Sequence, residues 1–116
     1  MIEEIIMTYL NEQVTAGNIP CPCYAMRPAD APIEFVLFEK TGASKTDHIT
    51  TSTIAFQSYA STLLGAVTIN NQVKEAVENM IALSEIAAVH FQSDYNFTDP
   101  TTKQPRYQAV FEITHY

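Results

Sequence analysis

Residues 61–83, STLLGAVTINNQVKEAVENMIAL, carry the longest helical pattern in the chain. Stepped at the α-helical period with Val73 as origin, Ala66, Ile69, Val73, Ala76, Val77, Met80 and Ile81 gather on one side. Thr68, Asn71, Gln72, Lys74, Glu75, Glu78 and Asn79 gather on the other. Ser61 or Thr62 offers an N-cap hydroxyl. A helix with one apolar stripe has to bury it, and strand-like segments lie on both sides of this one, so it is expected to be the ridge on which a sheet packs. Two residues break its pattern: Asn70 falls near the edge of the apolar face, and Leu64 points away from it.

Working outward toward the C-terminus, the period changes to two. Val89, Phe91, Ser93, Tyr95 and Phe97 alternate with His90, Gln92, Asp94 and Asn96. Residues 98–105 are rich in turn formers, and Tyr107, Ala109, Phe111 and Ile113 then alternate with Arg106, Gln108, Glu112 and Thr114. This predicts an antiparallel hairpin whose Val89/Phe91/Tyr95 and Tyr107/Phe111/Ile113 faces meet the helix, with Ile54 and Phe56 alongside.

Toward the N-terminus, 33–40 reads as a strand that is apolar on both faces (Phe35, Val36, Leu37, Phe38), which implies cover on both sides. One cover is a helix; the other is the first helix or a neighbouring subunit. Residues 41–46 (Thr-Gly-Ala-Ser-Lys-Thr) read as a polar turn with a flexible tip, leading into a second strand over 47–59. The odd parity of Ile49 against the even parity of Ile54 and Phe56 predicts a bulge near Thr51–Thr53. The passage from Pro20 to Pro32 is too interrupted for more than a short edge strand at 24–26. At the start, Ile2, Ile5, Ile6, Tyr9, Leu10 and Val14 follow helical spacing, with Glu3 and Glu4 in the first turn and Gly17–Asn18 as stop residues.

The expected fold is therefore α/β (α+β). A mostly antiparallel sheet of two β-hairpins packs on a long central helix plus an N-terminal amphipathic helix, in the order α-β-β-(α)-β-β. All 116 residues make one domain.

Composition narrows the function classes. Hydrophobic residues make up 47% of the chain and charged residues 16%, which fits a globular domain. Thirteen acids against six bases give a formal charge of −7, which argues against gripping nucleic acid or anionic lipid. No apolar run approaches the ~20 residues of a bilayer span. Glu3 and Glu4 stand where a secretion signal carries positive charge, so export is not expected. Cys21 and Cys23 are too close for an easy disulfide and are half a zinc site at best, so they are read as free.

Chemical motifs are thin. Asp47 and His48 are neighbours on a strand and would face opposite ways. His90 and His115 lie on different strands with opposite parity. There is no phosphate loop, nucleophile elbow, HExxH or CxxC. No catalytic set, metal or cofactor is expected. The notable positive points are Arg106 beside Tyr107, and Lys40 and Lys45 around the first hairpin.

Several segments in fixed order carry a resemblance. These are Pro28-Ala29-Asp30-Ala31-Pro32 leading into Phe35-Val36-Leu37-Phe38-Glu39-Lys40-Thr41-Gly42, then Ile54-Ala55-Phe56-Gln57-Ser58-Tyr59-Ala60, then Ser93-Asp94-Tyr95-Asn96-Phe97-Thr98-Asp99, and Arg106-Tyr107-Gln108-Ala109-Val110-Phe111-Glu112-Ile113. In order, spacing and total length the chain resembles the tail terminator, or tail-completion, family of long non-contractile-tailed bacteriophages and their prophage relatives. The resemblance implies a non-enzymatic virion protein that assembles as a hexameric ring. Such a ring caps the head-proximal end of the tail tube, ends tube polymerisation and helps join tail to head. Its implied partners are other copies of itself, the major tail tube protein and a head-completion or connector protein. DNA passes through the ring without specific binding. The implied location is the virion tail, assembled in the bacterial cytoplasm.

Position then suggests which residues make contacts. Lys40, Thr41, Gly42, Ser44, Lys45 and Thr46 are the candidate partner-contact loop. Phe35, Leu37, Ile49, Thr51 and Thr53 are candidates for subunit contact along the strands. The alternative is a small dimeric, hotdog-like ligand-binding or enzyme domain, in which a sheet wraps a central long helix and Asn70 or His90 supplies a polar group at a subunit cleft.

Overall fold

The computed structural model describes residues 1–116 and is a mixed α/β structure with two α-helices and a five-stranded sheet. Helix α1 spans Ile2–Thr15. Strand β1 is the two-residue piece Cys23–Tyr24. Strands β2 (Phe35–Thr46) and β3 (Ile49–Tyr59) precede helix α2 (Leu63–Glu78), which runs on into a single 3₁₀ turn, Asn79–Ala82. Strands β4 (Ile86–Asn96) and β5 (Arg106–His115) close the chain. The sheet order is β1-β2-β3-β5-β4, antiparallel except for the parallel β1–β2 pair.

Both helices lie on one face of the sheet. Ile2, Ile6, Tyr9 and Leu10 of α1 and Ala66, Ile69, Val73, Ala76 and Val77 of α2 join one core. The same core holds Val36, Phe38, Ile54, Phe56, Ala109, Phe111 and Ile113 from the strands. Tyr9 ties the two helices together by donating its hydroxyl to the carbonyl of Ala76 at 2.5 Å. The Thr62 hydroxyl accepts from Gly65 N–H at 3.0 Å and caps α2. Glycine suits position 65, because a Cβ would sit tightly there, 3.0 Å from the capping oxygen and 3.1 Å from the Ala60 methyl group.

The helix is shorter than its periodicity predicts. The α-helical geometry stops at Glu78, and tightening into a 3₁₀ turn keeps Met80 fully buried while Ile81 swings out to 52% exposure. It is one of two helices on a single face and not a central one, and the sheet does not wrap it.

The first hairpin also differs from expectation. Residues 41–46 are strand, not turn: β2 continues to Thr46, and the connection is the two-residue pair Asp47–His48, both at positive φ (50° and 69°). Two consecutive positive φ values match the twist a tight hairpin turn needs. The irregularity expected near Thr51–Thr53 sits on the partner strand, where Lys40 pairs with Ile54 and Gly42 with Thr53, leaving Thr41 as the extra residue. Strand β3 runs unbroken, with Ile49 on one face and Ile54 and Phe56 on the other. β1 falls at 23–24, one residue ahead of the expected 24–26 piece.

Strand β4 carries two extra residues, Ala87 and Gln92. The second flips its parity. Val89 and Phe91 face the helices, but beyond Gln92 it is Asp94 that faces them and Tyr95 that turns to the opposite side, contrary to the simple alternation. Asp94 accepts from Asn70 Nδ2 and from Lys74 Nζ, both at 2.9 Å, so the flip places a carboxylate where the helix offers an amide and an ammonium.

Candidate functional site

With both helices on one side, the other side of the sheet has no helix over it. The strand register assigns its residues. Phe35, Leu37, Glu39, Gly42, Ser44 and Thr46 from β2 lie beside Ile49, Thr51, Thr53, Ala55, Gln57 and Tyr59 from β3, followed by Arg106, Gln108, Val110, Glu112 and Thr114 from β5. Thr51 and Thr114 confirm the register, with their hydroxyls 3.0 Å apart.

The five strand residues expected to make subunit contacts, Phe35, Leu37, Ile49, Thr51 and Thr53, therefore share this single face. Of the six expected on a contact loop, Gly42, Ser44 and Thr46 lie on the same face but within a strand. Thr41 is the bulge, and its hydroxyl donates to the Thr53 carbonyl at 3.4 Å. Lys40 is turned to the helix side, where it pairs with Glu3 at 3.5 Å. Lys45 also has helix-side parity, pairs across the hairpin with Thr50, and is exposed. These six residues are thus the distal half of an edge strand. β1 covers only Val36 and Leu37, so from Phe38 to Thr46 the edge of β2 has no neighbouring strand.

The far end of the face holds a denser arrangement. Phe35 and Tyr59 stack with centroids 4.2 Å apart at 11°. The Arg27 guanidinium lies over both rings, 5.3 and 5.4 Å from their centroids. Arg106 lies 5.6 Å from the Tyr59 centroid and 4.4 Å from that of Phe97. Its Nε donates to the Phe97 carbonyl at 2.6 Å and its Nη1 to the Tyr59 hydroxyl at 3.1 Å. One row further in, Gln57 donates to Gln108, which donates to the Tyr95 hydroxyl, at 2.8 and 2.6 Å. Phe35, Tyr59, Gln57 and Gln108 are buried although no helix covers them; the side chains of their own face and the Arg27 segment do it.

The sequence drew attention to Arg106 but not to Arg27 or Tyr59. The available signal was that the odd positions Phe35 and Leu37 are as apolar as the even positions Val36 and Phe38, which says that the second face is apolar too. What it lacked was the Gln92 bulge, which brings Tyr95 onto this face.

The residues considered for chemistry do not converge. His48 is in the hairpin turn, His90 is exposed opposite Glu112 on the helix-free face, and His115 is buried, its Nε2 2.9 Å from the Ser52 hydroxyl. Asn70 is fully buried on the helix side, so Asn70 and His90 lie on opposite faces and share no cleft. No three His, Cys, Asp or Glu side chains come together in a metal-binding group. Burial pushes the Cys21 thiol up to about 11 and the Cys23 thiol up to about 12, with Glu34 adding to the first and Cys21 to the second. The surface grooves lie on the helix side; one of them, about 280 Å³, has Glu4, Glu12 and Glu85 in its walls. No helix is long and apolar enough to cross a membrane.

A scan against protein-family models and a search of curated proteins returned no match.

Proposed function

We propose that this protein is a structural component of a bacteriophage or prophage tail. It acts as a ring of identical subunits that caps the head-proximal end of the tail tube, ends its polymerisation and helps join the tail to the head. The starting point is the resemblance of the ordered segments between Pro28 and Ile113 to the tail terminator family. The observation that carries the reading is the two-sided apolar character of β2. Val36 and Phe38 are covered by the helices, whereas Phe35 and Leu37 lie on a face that no helix covers, beside Ala55 and Val110. A strand apolar on both sides calls for cover on both. Phe35 and Ala55 are already buried within the chain, but Leu37 and Val110 beside them stay part-exposed. With α1 on the same side as α2, a neighbouring molecule is the cover we assign to them. The unpaired edge of β2 from Phe38 to Thr46 gives a second surface of the same kind.

In the ring, the distal part of the first hairpin, with Lys45 at its end, meets the tail tube or the head connector. The acidic chain suits a channel through which DNA slides, because carboxylates repel phosphates. The test is deletion of the gene in the phage or lysogen that carries it, followed by electron microscopy of the particles released. Tails of unregulated length and heads without tails are expected. Particles with normal tails of uniform length, or a host that releases none before or after deletion, overturn the reading.

A further inference from the structure

We infer that the Arg27–Tyr59–Arg106 end of the helix-free face is covered, in the assembled protein, by carboxylates on the helix layer of a second copy of this chain. This rests on the ring reading above and specifies the contact that builds the ring.

The inference starts from where the charges are. Of the six basic side chains, Lys40 and Lys74 are in salt bridges, with Glu3 and Asp94, and both point to the helix side. The two arginines have no carboxylate within ion-pair distance, in a chain that has thirteen acids to offer. The acid whose titration senses Arg106 is Asp99, whose Oδ1 accepts from the backbone N–H groups of Thr101 and Thr102 and which makes no ion pair with the arginine. Arg106 is held in plane by its bonds to the Phe97 carbonyl and the Tyr59 hydroxyl, which leaves Nη2 unengaged. Arg27 is exposed and reaches only Gln104, at 3.5 Å. Two guanidiniums fixed by the same tyrosine ring, over stacked aromatics, form the kind of surface that carries binding energy when desolvated against carboxylates.

The complementary surface is on the opposite side of the same molecule. Glu12, Glu75, Glu78 and Glu85 are exposed on or next to the helix layer and have no basic partner, and Glu4 meets only the N-terminal amine, at 4.0 Å. The helix-free face also carries Glu39 and Glu112, but in rows beyond the Gln57–Gln108 pair, so it is the arginine end of that face that matches the acids of the helix layer of a second copy front to back. Such a contact is heterologous, and successive copies joined by it close into a ring when the rotation allows. An isologous face-to-face contact would bring the arginines of two copies together instead.

The experiment is light scattering on the purified full chain over a concentration series, at low and high salt, with Arg27→Glu and with the double variant Glu75→Lys/Glu78→Lys. Circular dichroism shows that each variant is folded. Wild type is expected to associate beyond a dimer, less so at high salt. Each variant alone is expected to associate on the order of tenfold more weakly. An equal mixture of the two is expected to recover, because every contact in an alternating assembly then joins opposite charges. A wild type that stays monomeric throughout overturns the self-contact, and the particle phenotype judges the tail reading separately. Association unchanged in both variants overturns the inference and leaves a ring built through another surface. Two weakened variants that do not rescue each other also overturn it, since the arginines and the α2 carboxylates then do not meet one another in the contact.

Discussion

At the residue scale, His115 is the side chain whose ionisation bears most directly on the fold. Burial holds its pKa below the ordinary histidine value. Lys40 and the N-terminal amine push the same way, while a backbone hydrogen bond at Tyr116 and the charge of Glu3 oppose them. The unfolded chain therefore takes up a proton at about pH 6.5, where the native state does not. The sign follows: the contribution is complete above that value and is lost as the pH falls through the lower native one. Urea unfolding at about pH 7 and about pH 5 is expected to show lower stability in acid, and His115→Gln is expected to flatten that difference. The cysteines give a second prediction at this scale. With thiols raised to about 11 and about 12, Cys21 and Cys23 stay protonated at neutral pH and are buried. Ellman's reagent is expected to find no fast-reacting thiol in the native protein and two after denaturation in guanidinium; one rapid native thiol would contradict the buried placement.

At the scale of elements, the hairpin turn is the feature with an energetic cost. His48 sits at φ 69° in a position where glycine is unstrained and other L-residues are not. His48→Gly is expected to raise stability by about 1 kcal/mol, seen as a higher denaturation midpoint at an unchanged m-value. The same turn shows where sequence reading stops. Periodicity gives two helices and two pairs of strands in roughly the observed order, because apolar spacing reports which side of an element is buried. It did not locate the turn. Thr41–Thr46 has the composition of a loop, and Asp47–His48 lacks the glycine that usually marks a two-residue hairpin, so cross-strand pairing overrode local propensity. Bulges are invisible for a related reason. Nothing local to Gln92 announces an extra residue; its consequence appears only when Asp94 is found with Asn70 and Lys74, and Tyr95 with Gln108. Phe35, Leu37, Ile49, Thr51 and Thr53, expected to make subunit contacts, fall on one face because β3 alternates without the expected bulge and the extra residue is Thr41 on β2. The Arg27 side of that face lies in a proline-rich segment with no period to read.

At the scale of the whole molecule, the helix layer holds the core, and the proposed function assigns assembly to the helix-free face and the free β2 edge. One pair of substitutions separates the two roles. Val77 is fully buried between α2 and the sheet, so Val77→Asp places a carboxylate where no partner exists. A cost of about 3–5 kcal/mol is comparable to the whole stability of a small domain, and loss of the cooperative thermal transition is expected. Lys45 is exposed at the end of the hairpin with no ion-pair partner, so Lys45→Glu is expected to leave the melting temperature within about a degree or two of wild type. If the hairpin end is where the ring meets its neighbour on the particle, that folded variant fails to restore tails of normal length when supplied in place of the deleted gene. Full restoration by Lys45→Glu would remove the hairpin end from the contact surface and leave the arginine face as the site to pursue.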